Sequence, residues 1–140
     1  MNNTLKILTL FLLINTSCKA QQMVQTTKDV FLLKTNEQLF INKPLKDLLN
    51  EIKPKIKIAG ANNEEGYQYF SFKFRTVEQH KKNEGDWEDR VSLYVYVKEP
   101  IDWKWEKRPK GNELTWTKED IEKYGSLTVI RIKVISPPRD

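Results

Sequence analysis

The sequence predicts an α+β domain: a twisted antiparallel sheet of four to five strands with helices segregated to one face. Three observations carry that expectation. YQYFSFKFRT and VSLYVYVK each alternate apolar and polar residues, the period of a half-buried strand. NKPLKDLLNEIKP instead spaces Leu45, Leu48, Leu49 and Ile52 at i, i+3, i+4 and i+7, one helical stripe. The two alternating stretches are joined by a charged loop, which suits an antiparallel pair.

In chain order, Phe31-Leu32-Leu33 reads as a first strand and Gln38-Leu39-Phe40-Ile41 as a short second one. A helix follows over about 43–53. Asn42 can cap it through its side-chain oxygen, Pro44 suits its first turn, and Pro54 stops it. Lys55-Ile56-Lys57-Ile58 alternates as a short strand, and the segment 60–66 is a polar turn. In the next strand Phe70, Phe72 and Phe74 point inward, while Tyr69, Ser71, Lys73 and Arg75 point outward. The segment 80–89 reads as a charged loop. In VSLYVYVK, Val91, Leu93, Val95 and Val97 are inward and Ser92, Tyr94, Tyr96 and Lys98 outward. The segment 100–111 is irregular. Thr117 with Asp120 three residues on resembles a capping box, opening a short helix over about 118–124. Gly125, able to adopt the left-handed conformation, would end it. In SLTVIRIKVIS, Ile130, Ile132 and Val134 take one face and Arg131 and Lys133 the other, before Pro137-Pro138.

The chain has 140 residues, enough for one modest core. With 39% apolar and 31% charged residues, it should fold rather than stay disordered. There is no internal repeat.

Residues 5–14 are almost wholly apolar, with Lys6 near their start. That run fits a signal-peptide hydrophobic region of about 7–15 residues and falls short of the roughly 20 that span a bilayer. Its apolar side chains cover every helical face, unlike those of an amphipathic helix. The run ends in Asn15-Thr16-Ser17-Cys18. Here the sequence resembles a bacterial lipoprotein precursor, whose signal ends in a leucine, two small residues and a cysteine. Thr16, Ser17 and Cys18 match, and Asn15 stands where leucine is usual. The resemblance implies cleavage before Cys18 and a diacylglycerol on its sulfur. Cys18 is the only cysteine, so a disulfide within the chain is excluded, and lipidation accounts for it. By the same resemblance, Lys19 is not the aspartate of inner-membrane retention, and Lys19-Ala20-Gln21-Gln22 is not an acidic surface-export segment. That implies the periplasmic face of an outer membrane. The expected organisation is a signal peptide over 1–17, a lipidated cysteine and flexible tether over 18–29, and one α+β domain over 30–140.

The net charge is +5, and +4 without residues 1–17, which hold Lys6 and no acid. A mildly basic envelope protein suits anionic wall polymers or lipid headgroups rather than nucleic acid, although scattered surface lysine would give the same balance.

Catalytic patterns are missing from the sequence. His80 is the only histidine and reads as solvated, so neither a His/Cys metal site nor a serine triad is built in, and no cofactor is expected. Gly-x-Ser-x-Gly and a Gly-rich phosphate loop are absent. Glu84, Asp86, Glu88 and Asp89 surround Trp87, a pairing that could serve acid–base work on a glycan but usually marks a solvated loop. Two surfaces remain as candidate binding sites. One is the outward sheet face with Tyr69, Tyr94 and Tyr96 beside Lys73 and Arg75, with Lys98, Arg131 and Lys133 nearby; it reads equally as an ordinary solvent face. The other is IDWKWEKRPKG, where Trp103 and Trp105 would point the same way beside Arg108; both indoles could instead cover an edge of the core. The expectation is a non-catalytic envelope lipoprotein that binds an envelope or exported protein, or a wall component. The alternatives are an inhibitor or immunity-type lipoprotein that neutralises a toxin or hydrolase, and a small glycan-active enzyme.

Overall fold

The computed structural model describes residues 20–63 and 66–138. Cys18 and the apolar run before it lie outside the described residues.

Four strands form one open antiparallel sheet in sequence order: β1 (Ile58–Asn62), β2 (Gln68–Lys73), β3 (Ser92–Val97) and β4 (Val129–Ile135). Each strand therefore hydrogen-bonds the next one along the chain. Four short helices accompany them: α1 (Phe31–Thr35), α2 (Leu45–Leu49), α3 (Val77–Lys82) and α4 (Lys118–Tyr124). Ala59, Phe70, Phe72, Leu93, Val95, Val97 and Ile132 of the sheet join Leu33, Leu45, Leu48 and Tyr124 of the helices in one buried cluster. Among the described residues, all buried members of that cluster lie between Val24 and Ile132.

The two central strands follow their alternation. In β3 the buried residues are Leu93, Val95 and Val97; in β2 they are Phe70 and Phe72. The expected strand at 31–33 is instead helix α1, and the one at 38–41 is a 3-10 turn, Glu37–Leu39. Val30 and Leu33, three apart, are buried while Phe31 is half-exposed, which is helical and not strand spacing. The strand expected at 55–58 begins only at Ile58 and runs through the segment read as a turn.

Helix α2 is five residues long, shorter than the expected 43–53. Asn42 does not cap it; its φ is +63°. The N-terminal amides of α2 are bonded by other main chain: Leu45 N–H donates to Leu127 O and Lys46 N–H to Gly125 O, both 2.8 Å. Further on, Ile52 pairs with Val24, which ends the helix in a bridge.

Helix α4 has the expected bounds and a complete capping box. Thr117 Oγ1 accepts from the Asp120 amide at 3.2 Å, and the Asp120 carboxylate accepts from the Thr117 amide at 2.9 Å. Gly125 ends it in a right-handed conformation, not the expected left-handed one (φ −61°). Glycine serves close approach there: a Cβ would strike the Ile121 carbonyl and lie 3.2 Å from the Lys46 side chain.

Two expectations about loops are also corrected. The segment 80–89 contains the end of α3 and a 3-10 turn, Trp87–Arg90. A Thr76–Gln79 capping box opens α3 and left-handed Asn83 closes it. Residues 22–29, expected to belong to a flexible tether, are instead fastened to the domain. Val24 is fully buried, its amide donates to Glu51 O at 2.9 Å, and Met23 N–H donates to the Glu51 carboxylate at 2.7 Å.

In β4 a bulge shifts the register, so that Val97 faces Val129 after Tyr96 has faced Arg131. Ile130 is thereby expelled to solvent and Val129 buried in its place. Both sheet edges are partly closed. The Ala59 amide on the β1 edge donates to Leu114 O at 2.8 Å. On the β4 edge the Ile132 amide donates to the Glu37 carboxylate at 2.7 Å. Burial opposes ionisation of Glu37, but that amide and Lys34 outweigh it and hold its pKa below the usual carboxylate range.

Candidate functional site

Pairing of the four strands assembles the outward face as a lattice. One row across it is Asn62, Tyr69, Tyr96 and Arg131; the next is Gly60, Ser71, Tyr94 and Lys133. Lys73 and Ser92 pair in the row beyond. The period-two alternation that buries Phe70 and Phe72 turns Tyr69, Ser71 and Lys73 outward, so core and site come from the same sequence signal.

The three tyrosines form one cluster. Tyr69 meets Tyr94 edge-on with ring centroids 5.7 Å apart and lies 5.1 Å from Tyr96. The Arg131 guanidinium sits over the Tyr96 ring, 5.1 Å from its centroid. Asn62 Nδ2 donates to the Tyr69 hydroxyl at 3.0 Å. Tyr69, Tyr94, Tyr96 and Lys73 are half-buried and Arg131 and Lys133 exposed, so the cluster is open to solvent. Beside the rings, Gly60 and Ser71 are small and adjacent. The face thus carries an aromatic cluster with cations beside it. Among the described strand residues turned to this side there is no carboxylate.

Arg75 does not belong to this face. It lies beyond the end of β2, is buried, and donates through Nη1 to Glu84 O at 3.0 Å. Its Nη2 is 3.2 Å from His80 Nδ1. His80 is therefore not the freely solvated side chain expected. Burial, then the charges of Arg75 and Lys73, push its pKa below the usual imidazole value, and the neutral ring accepts from Arg75.

The tryptophan segment is also rearranged. Trp103 and Trp105 do not share a face: a 3-10 turn, Trp105–Lys107, begins at the second indole. Trp103 packs on the core, stacked 6.5 Å from Trp116 and edge-on to Phe70 at 6.2 Å. Trp105 is exposed. Arg108 is withdrawn from the surface: its guanidinium lies 3.7 Å over the Trp103 ring and grips the Asp120 carboxylate with both Nη atoms, at 2.5 and 3.0 Å. It holds the segment together and is spent on doing so. The sheet face therefore keeps Tyr69, Lys73, Tyr94 and Tyr96 together, adds Asn62, Arg131 and Lys133, and loses Arg75; Trp103 and Arg108 serve the core.

Asn62 was hidden in the sequence by Gly60, which reads as a turn signal but lies inside β1. Its recoverable signal is the alternation of Ile58, Gly60 and Asn62 against Ala59 and Ala61.

Among the described residues no group of three or more His, Cys, Asp or Glu could hold a metal ion, and no helix is long and apolar enough to cross a membrane. No family model matches the chain, and neither a curated protein nor a solved structure matches it.

Proposed function

We propose that this chain is a membrane-anchored, non-catalytic binding protein of the bacterial cell envelope, attached through lipid on Cys18. Its helices back one side of the sheet and leave the tyrosine side free as the binding surface. The partner is an envelope or exported protein, or a wall polymer, with acidic character. The observation that carries this reading is the outward face itself: a tyrosine cluster bordered by Lys73, Arg131 and Lys133, with no carboxylate among the described strand residues turned to that side. Tyrosine supplies broad contact area at small entropic cost, and cations beside it favour an anionic partner.

The test is capture from envelope extract by the chain from Lys19 onward, beside a Tyr94→Ala/Tyr96→Ala variant with an unchanged circular dichroism spectrum. The parent chain should retain a partner whose affinity falls by at least about 30-fold in the variant, as expected for hot-spot residues. Equal retention by both would sink the assignment to this face. The anchor has a separate test. The full chain should sediment with membranes, and Cys18→Ala should move to the soluble fraction; a variant that stays with membranes contradicts lipidation at Cys18.

A further inference from the structure

A half-open cleft of about 620 Å³ lies away from the tyrosine face, between the 3-10 turns Thr27–Asp29 and Trp87–Arg90. Its volume falls within the range of small-ligand sites, roughly 300–1,000 Å³. Phe31 and Trp87 both line it, and they remain 51% and 42% exposed. Single exposed apolar side chains are ordinary, but two large rings in one concavity, with Val91 and Pro137 beside them, form a patch.

The walls are fastened to each other. Thr27 Oγ1 donates to Asp89 Oδ1 at 2.7 Å, and Lys28 Nζ lies 3.3 Å from Glu88 Oε1. Trp87 is positioned by Arg90, whose guanidinium lies 5.2 Å from the ring centroid and whose Nη2 donates to Asn83 O at 3.0 Å. The site is therefore largely preformed, and a ligand would not bear the cost of ordering it.

The lining selects among ligand classes. A phosphate calls for converging cations, and the lining offers one, Lys28, beside the carboxylates Asp29 and Glu88. An acyl chain calls for a continuous apolar channel, which the charged pair interrupts. A sugar ring fits both halves of the lining. Its C–H faces carry slight positive charge that suits the negative faces of Trp87 and Phe31. Its hydroxyls can donate to the Glu88 carboxylate and accept from the Lys28 ammonium. That ion pair is exposed and contributes little to stability, so recruiting it to a ligand costs little. We propose that this cleft binds a neutral sugar unit of a glycan, with Trp87 and Phe31 as platforms and Glu88 and Lys28 as hydrogen-bonding groups. The inference goes beyond the sheet-face reading and stands without it.

The test uses the ¹⁵N-labelled chain from Lys19 onward, titrated separately with triacetylchitotriose and maltotriose, both neutral. Inorganic phosphate and a dodecyl-chain detergent below its micelle threshold represent the other two classes. The backbone amides of Phe31 and Val91 should shift saturably with at least one trisaccharide. Binding should weaken at least about tenfold in Trp87→Ala and in Glu88→Gln, and stay unchanged in Tyr94→Ala. Trp87 is half-exposed, so its removal leaves the core intact, and Glu88→Gln keeps the shape of the site. The proposal is overturned if neither trisaccharide shifts those amides, if affinity is unaltered in Trp87→Ala and Glu88→Gln, or if only phosphate or detergent binds.

Discussion

Arg108→Ala will lower the unfolding free energy by about 3–5 kcal/mol, the range for removing one partner of a buried ion pair. The Arg108 and Asp120 side chains are only 8% and 7% exposed. Beyond the two-point grip on Asp120, Arg108 donates to Glu113 O at 2.9 Å and Thr115 O at 2.8 Å, and stacks on Trp103. Truncation leaves a buried carboxylate without its cation and frees the segment that Trp103 rides on. Lysine cannot reproduce the planar fork, so Arg108→Lys should recover only part of the loss. Urea unfolding of the parent and both variants checks this; a loss under about 1 kcal/mol in Arg108→Ala would contradict the role given to the pair. The pair also has a pH signature. Burial opposes ionisation of Asp120, but Arg108 and the Thr117 amide together hold its pKa below the usual value. A carboxylate with a depressed folded pKa stabilises the fold above its unfolded value, near 3.9, and loses that contribution as pH falls through the folded one. The gap between parent and Arg108→Ala should therefore be steady at neutral pH and close below about pH 4.

Phe70→Ala should cost about 3–5 kcal/mol, and Phe70→Leu clearly less. Phe70 is fully buried and sits among four other aromatic rings: Phe72 at 5.9 Å, Trp103 at 6.2 Å, Trp116 at 5.8 Å and Tyr124 at 5.3 Å. Loss of the ring opens a cavity beneath groups from three separate segments. They cannot collapse into it together, because Trp103 is pinned by Arg108 and the Tyr124 hydroxyl donates to Asp102 O at 2.6 Å. The thermal midpoint and near-ultraviolet circular dichroism should report this together, the latter through the altered tryptophan environment. A Phe70→Ala protein as stable as its parent would mean that the ring cluster is not the packing centre it forms here.

The parts of the fold legible in the sequence are those where one local rule acted unopposed. β3 alternates without a break and α4 has a complete capping box, so both stand where the pattern puts them. Helix α2 is shorter than its apolar stripe, which continues to Ile52, because pairing of Ile52 with Val24, 28 residues away, ends the helix first. Residues 31–41 are ambiguous in the sequence because Phe-Leu-Leu and Leu-Phe-Ile are equally good strand and helix material at that length. Only tertiary burial of Val30 and Leu33 decides it. The candidate site divides in the same way. Tyr69, Tyr94 and Tyr96 follow from the alternation, and the bulge that expels Ile130 leaves Arg131 beside them. Nothing local distinguishes Arg75 and Arg108 from surface cations; what withdraws them are carbonyls and a carboxylate 5 to 12 residues further along the chain.

The two stoppered sheet margins have a consequence for life at high density. A four-stranded open sheet ordinarily presents two ribbons of unused amides and carbonyls, on which a neighbouring copy can crystallise strand upon strand. Here one margin carries the Leu114 carbonyl and the other a carboxylate borrowed from Glu37, 95 positions earlier in the chain. A newcomer strand would have to displace a main-chain carbonyl at one margin, or a charged carboxylate at the other, before pairing there. Copies at high concentration are thereby hindered from adding edge to edge into fibres.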